Sequence, residues 1–170
     1  MSEHAPPGLD RNALAALLPD LRAYARLLAG AAGGADDLVQ EAILRALAAA
    51  AQFQPGTSLK AWTFTILRNL FYEQARRRKR EEAALRHEIP HLSRTSEPSG
   101  AGLSDLSRAL FVLPPALREA LVLVGAQGLT HEEAAAICRV EPGTMRARVS
   151  RARAKLAELV EPPAPRPAGA

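Results

Sequence analysis

The sequence predicts an all-α protein of two small helical domains joined by a flexible linker. Apolar residues recur at helical spacing and nowhere sustain an alternation with polar ones. Alanine is abundant and β-branched runs are few. A stretch bearing Pro90, Ser93, Thr95, Ser96, Pro98, Ser99, Gly100 and Gly102 can neither continue a helix nor bury much, so it divides the chain. The expected boundaries are a first domain at 10–86, a linker at 87–102, a second domain at 103–160 and a proline-rich, disordered tail at 161–170. We find no internal repeat.

Composition narrows the function classes. Of the 170 residues, 48% are hydrophobic and 24% charged, the balance of a soluble globular protein. No apolar run reaches the roughly 18 residues of a membrane span. Met1 to Arg11 carries two acids and two prolines where a secretory signal has a basic head and an apolar stretch. The lone Cys138 excludes an internal disulfide and a multi-thiolate metal site, and suits a reducing cytoplasm. The formal charge of +4 decides little by itself; the placement of the arginines decides more.

In the first block, Leu14, Leu17, Leu18, Leu21, Tyr24 and Leu28 follow helical spacing, and Pro19 requires a kink or a fresh helix start. Gly30, Gly33 and Gly34 end that helix. Asp36 and Asp37 suit the positive end of the next, which is expected to run to Ala51. Gln54 to Ser58 reads as a turn, and a long helix is expected from Ser58 to Glu82.

In the second block, Ala116 to Ala126 is apolar and helical after Pro114-Pro115, and Gly128 stops it. Thr130-His131-Glu132-Glu133 has the spacing of a capping box. A short helix leads through Cys138-Arg139-Val140 to Pro142, which opens a last helix to about Leu159. Helix, tight turn and helix form a helix-turn-helix pattern.

Three surfaces carry candidate chemistry. On the second helix, a wheel places Val39, Ile43, Ala46, Leu47 and Ala50 inward, and Asp37, Glu41, Leu44 and Ala48 outward with Gln40 at the edge. A leucine among acids fits a protein-binding patch, although single exposed leucines are ordinary and spacing alone favours a solvated face. On the long helix, Phe64, Ile66, Leu67, Leu70 and Phe71 share one half. Thr65, Arg68, Asn69, Tyr72, Arg76 and Lys79 share the other, with Trp62 at the border. Basic groups hold phosphates, and aromatic and amide groups engage unpaired bases. A solvated side, with Trp62 and Tyr72 in the core, explains this pattern as well. On the last helix, Met145, Val149, Ala152, Leu156 and Leu159 form an apolar stripe flanked by Arg146 and Arg153 on one side and Arg148, Arg151 and Lys155 on the other. Ala147, Ser150 and Ala154 lie opposite. Small residues allow close approach to a groove wall while arginines reach phosphates or guanine edges. The capping box, turn length and clustered basic residues favour DNA binding over a merely solvated helix.

Other candidates are weak. His87 and His91 stand four apart, but Pro90 between them argues against a shared helix face, and no cysteine or acid constellation completes a metal site. Cys138 suits a small apolar gap beside the turn. No phosphate loop, nucleophile elbow or catalytic dyad is evident. The expectation is a non-enzyme with neither metal nor cofactor.

The motifs Asp36-Asp37-Leu38-Val39-Gln40-Glu41, Leu59-Lys60-Ala61-Trp62, Ile66-Leu67-Arg68-Asn69, Leu113-Pro114-Pro115 and Gly143 to Arg153 together resemble a bacterial extracytoplasmic-function (ECF) sigma factor. The resemblance spans residues 10–160 in order and spacing. The stretch Leu113 to Cys138 is similar to the alphaproteobacterial general-stress subfamily.

The resemblance implies domains named sigma-2 and sigma-4. It implies docking of Asp37, Gln40 and Glu41 on the β′ clamp helices of core RNA polymerase, with Leu44 on the same face. It assigns −10 recognition and melting to Arg68, Asn69, Tyr72, Arg76 and Lys79, with Trp62 mainly structural. It assigns −35 recognition to Arg146, Arg148, Ser150, Arg151 and Arg153, and a contact between sigma-4 and the β flap. It also implies an anti-sigma factor that occupies both domains until a response regulator with a sigma-like domain removes it. Two rivals share these features in part. A sigma-like anti-anti-sigma module carries a receiver domain and weakened surfaces, neither of which this sequence suggests. A stand-alone helix-turn-helix repressor has no use for the acidic face of the second helix.

Overall fold

A computed structural model describes residues 9–30, 33–86 and 105–160, and among these every regular element is helical. They fall into two compact units. The expected linker at 87–102, with His87 and His91, and the expected tail at 161–170 lie outside the described residues.

In the first unit, α1 (Arg11–Ala16) is capped by Asp10, whose carboxylate accepts from the Asn12 amide at 2.8 Å. Leu17 ends it, and α2 (Leu18–Ala29) starts afresh with Pro19 in its first turn, where a missing N–H costs nothing. Gly30, at φ 58°, closes α2. Then α3 (Ala35–Ala48) opens with Asp36 and Asp37 in its first turn. It stops short of the expected Ala51: Ala49 leaves helical backbone, and Ala50–Gln52 tighten into a 3-10 turn. A turn through Gly56 (φ 87°) leads to α4 (Leu59–Arg86). The Ser58 hydroxyl caps α4 by accepting from the Ala61 amide at 3.1 Å. Beyond the expected Glu82, α4 continues to Arg86, helped by the Arg77–Glu81 pair one turn apart at 2.8 Å.

The centre of this unit is Tyr24 of α2 stacked on Phe64 of α4, with centroids 4.9 Å apart. Leu21, Leu38, Val39, Ala42, Leu67 and Leu70 are buried with them. Because α3 packs on both α2 and α4, its buried arc is rotated from the expected one. Leu47, expected inside, is 38% exposed, whereas Leu38 is buried. Ile66 and Phe71 of α4 are only half-buried, and Thr63 is wholly buried in their stead. Its hydroxyl is satisfied within the helix, donating to the Leu59 carbonyl at 2.8 Å. Leu9, Leu14, Ala46, Ala50 and Phe53 form a second cluster, against which Trp62 packs.

In the second unit, α5 (Asp105–Val112) meets α6 (Pro115–Leu121) through a short turn. Apolar periodicity is expected to carry α6 unbroken to Ala126. Instead Val122–Ala126 widen into a π turn before Gly128 (φ 68°) ends the element. The capping box of α7 (His131–Cys138) is complete: the Glu133 amide donates to the Thr130 hydroxyl at 3.1 Å, and the Thr130 amide donates to the Glu133 carboxylate at 2.8 Å. Arg139 makes the turn in the left-handed region (φ 56°), and Pro142 opens α8 (Pro142–Val160). Met145, Val149 and Ala152 of α8 are buried, Leu156 is half-buried, and Leu159, expected in the same stripe, is 45% exposed.

Candidate functional site

The α3 face is an exposed crest with a groove on either side. Asp37 and Gln40 are exposed, Glu41 is half-buried, and Leu44 is 62% exposed at the top. These four candidates do not converge on one pocket. Asp37 and Glu41 face a groove shared with Glu73, Gln74 and Arg77 of α4. Gln40 and Leu44 line the groove toward Arg22 and Arg26 of α2. On the α4 side, Arg45 binds Glu73 at 2.8 Å and Glu41 at 3.1 Å. The hydrogen bond to Glu73 raises the affinity of Arg45 for its proton and pulls the Glu73 carboxyl below the usual carboxylate range. An apolar knob flanked by acids suits a partner surface that offers basic groups around an apolar site.

The outward face of α4 is continuous. Arg68 and Asn69 are half-buried, while Tyr72, Arg76 and Lys79 are exposed. The Arg68 guanidinium lies 4.5 Å from the centroid of the Tyr72 ring. Phe71 meets that ring edge-on at 5.2 Å. Tyr72 is therefore a supported surface aromatic and no part of the core. Trp62 takes the other course, packing on Phe53 at 5.3 Å. The Thr65 hydroxyl donates to the Ala61 carbonyl at 2.9 Å. The remaining face offers a ring, an amide and a run of cations, a combination able to hold a strand by its bases and its phosphates.

On α8, Arg146, Ser150, Arg151 and Arg153 are exposed, and Arg148 is half-buried beside the stripe. Ala147 and Ala154 are exposed with them, so the face opposite the stripe is small and open between cations. Arg151 is oriented along the helix by donating to the Ala147 carbonyl at 3.3 Å. Arg146 is held by Glu132 of α7. The buried stripe fixes the roll of α8 against α6 and α7, and the roll decides which side chains face outward.

Sequence reasoning passed over Arg118. Its guanidinium donates to the carbonyls of Leu110 and Phe111 at 2.9 Å and of Leu113 at 3.0 Å, and it lies over the Phe111 ring. It thus gathers carbonyls in the last turn of α5 and just beyond it. Partial burial lowers its hold on the proton. Only the arginine itself was visible in sequence; its targets are set by the turn. Cys138 is buried at the end of α7. Among the described residues, no three His, Cys, Asp or Glu side chains gather as a metal site, and no helix is long and apolar enough to cross a membrane.

The family described as Sigma-70 region 2 matches residues 14–81, and Sigma-70, region 4 matches residues 103–156. The ECF RNA polymerase sigma factor EcfG of Rhodopseudomonas palustris is 47% identical over 152 residues, covering 88% of this chain and 84% of the relative. The ECF RNA polymerase sigma factor SigF of Caulobacter vibrioides is 33% identical, covering 87% and 83%. Among solved structures, the sigma factor RpoE of Bartonella quintana, in complex with the anti-sigma factor NepR, superposes with a TM-score of 0.74 at 42% identity. That match covers 91% of this chain and 98% of the other.

Proposed function

Because the chain belongs to the ECF sigma factors of the sigma-70 family, we propose that it binds core RNA polymerase in the cytoplasm and directs promoter-specific initiation in a stress response, with no catalytic chemistry of its own. One observation carries this reading: the α3 crest, the α4 face and the α8 face all point outward in a single chain, each fully furnished with its side chains. A repressor needs only the last of them.

Asp37, Gln40, Glu41 and Leu44 dock on core polymerase, the acids meeting basic groups and Leu44 entering an apolar site. Arg146, Arg148, Ser150, Arg151 and Arg153 engage the −35 element in its major groove. There the small residues opposite the stripe, Ala147, Ser150 and Ala154, let α8 approach closely, and the cations set register on the phosphates. Arg68, Asn69, Tyr72, Arg76 and Lys79 engage the −10 element as it opens. Holding an unstacked base offsets part of an unstacking cost of about a few kcal/mol. Two DNA contacts on one chain raise each other's effective concentration, so modest affinities combine. The partner class extends to a small anti-sigma protein, as in the NepR complex of the Bartonella relative.

Protection of a promoter duplex by the purified chain, with and without core polymerase, tests the reading. Protection of both elements only when core is present is expected. Equal protection without core would identify a repressor, and failure to associate with core would contradict the proposal.

A further inference from the structure

We propose that Glu132, on the first helix of the helix-turn-helix pair, positions Arg146 on the second and thereby sets discrimination at one base pair of the −35 element. This rests on α8 being the DNA-reading helix.

The two side chains meet across fourteen intervening sequence steps, Arg146 Nη2 lying 2.5 Å from Glu132 Oε1. Arg146 stands in the opening turns of α8, the part of a recognition helix that reaches base edges. Glu132 stands in the first turn of α7, whose backbone is pinned by the Thr130–Glu133 box. Its own backbone amide, and then Arg146, hold its carboxyl below the usual range, so it is charged at neutral pH. Both side chains are 60% exposed. Exposed ion pairs contribute little to stability, so stability does not account for this one.

Placed in a groove, the pair has two consequences. An arginine on a free helix side samples many rotamers, and here one donor is tethered to a separate helix. The guanidinium has further N–H groups in its planar fork, enough for the N7 and O6 of a guanine. Tethering therefore aims the fork and lowers the entropy lost on reading. The carboxylate also neutralises Arg146 toward phosphates, which every sequence offers equally. General attraction falls while the directional contact remains. Glu132 acts through Arg146 and makes no base contact in this account.

The test uses holoenzyme assembled from core polymerase and the full chain, as wild type, Glu132→Gln, Arg146→Ala and the double variant. Each is measured on a library of −35 sequences and on non-promoter duplex at several salt concentrations. Glu132→Gln is expected to flatten preference at a single base pair by about fivefold or more. Arg146→Ala should flatten the same pair, and the double variant no further than Arg146→Ala. Glu132→Gln should also steepen the salt dependence of non-promoter binding by about one phosphate's worth of log–log slope. A flattened preference in Glu132→Gln at unchanged melting temperature supports the proposal; a fall in melting temperature that accompanies the flattened preference, with both restored by the exchange Glu132→Arg with Arg146→Glu, would show the pair to be structural and overturn it. An unchanged preference in Glu132→Gln, with wild type still selective, overturns this inference alone. A wild-type holoenzyme without any selectivity would defeat the functional reading together with it.

Discussion

Arg45 of α3 reaches Glu73 of α4 with both terminal nitrogens, at 2.8 and 3.3 Å, while its Nε holds Glu41 at 3.1 Å. One guanidinium therefore joins an acid of the proposed docking crest to the helix proposed to open DNA. A basic partner approaching Glu41 competes with Arg45, and any shift of Arg45 is felt at Glu73.

The first expectation concerns pH. The Glu73 carboxyl is pulled below its ordinary value by Arg45. Its contribution is thus fully present above the unfolded carboxylate value of about 4.3 and is lost as pH falls through the lower folded value. Glu73→Gln should melt below wild type at neutral pH, with the gap closing under acid conditions. Melting temperature followed from pH 7 to pH 3 (chosen limits) checks this, and a constant gap contradicts it.

Reversing the crest should separate docking from folding. Asp37→Arg with Glu41→Arg is expected to abolish co-purification with core polymerase. The far-ultraviolet helical signal should remain, because neither side chain is in the core. Leu44→Ala should weaken core binding by about 1–2 kcal/mol if that side chain fills a central pocket, while stability changes by no more than about 0.5 kcal/mol. Retained core binding in the reversed variant removes the docking assignment.

Asn69→Ala and Tyr72→Ala should impair promoter opening more than closed-complex binding. Stacking on an aromatic contributes about 1–3 kcal/mol per base, so losing Tyr72 should slow opening about fivefold or more. A template already unpaired across the −10 region should rescue most of the defect. A defect of equal size on duplex and pre-melted templates would show that these residues act elsewhere.

Arg118→Ala should destabilise the second unit by about 1–3 kcal/mol, since it strips a donor from three backbone carbonyls around the α5–α6 turn. Arg118→Lys should restore little, because an ammonium cannot reproduce the planar fork. Denaturant unfolding measures both.

Much of this molecule is legible in its sequence for local reasons. Glycines at positive φ, prolines at helix starts and the Thr130–Glu133 box act within a few residues, so α2, α3, α4, α7 and α8 are found near their expected starts. The errors are tertiary. Leu47 is exposed where the wheel puts it inside, and Leu38, which the wheel leaves unplaced, is buried, because α3 is gripped from two sides. Thr63 is buried because its own helix satisfies its hydroxyl, so its polarity misleads. The π turn at Val122–Ala126 leaves no mark in apolar spacing. The left-handed Arg139 carries no glycine to announce it.

The candidate surfaces were legible as helix faces, whereas the ties among them were not. That Asp37 and Glu41 look toward α4 while Gln40 and Leu44 look toward α2 follows from how three helices pack. The Glu132–Arg146 pair spans a turn whose backbone geometry only the structure supplies.

Start-site selection in a purified transcription reaction tests the central claim most directly. Core polymerase, this chain and a randomised promoter library should yield transcripts from templates sharing two spaced elements. Arg148→Ala and Arg151→Ala should relax the upstream element alone. Transcripts initiated no more selectively than by core polymerase alone would contradict the account.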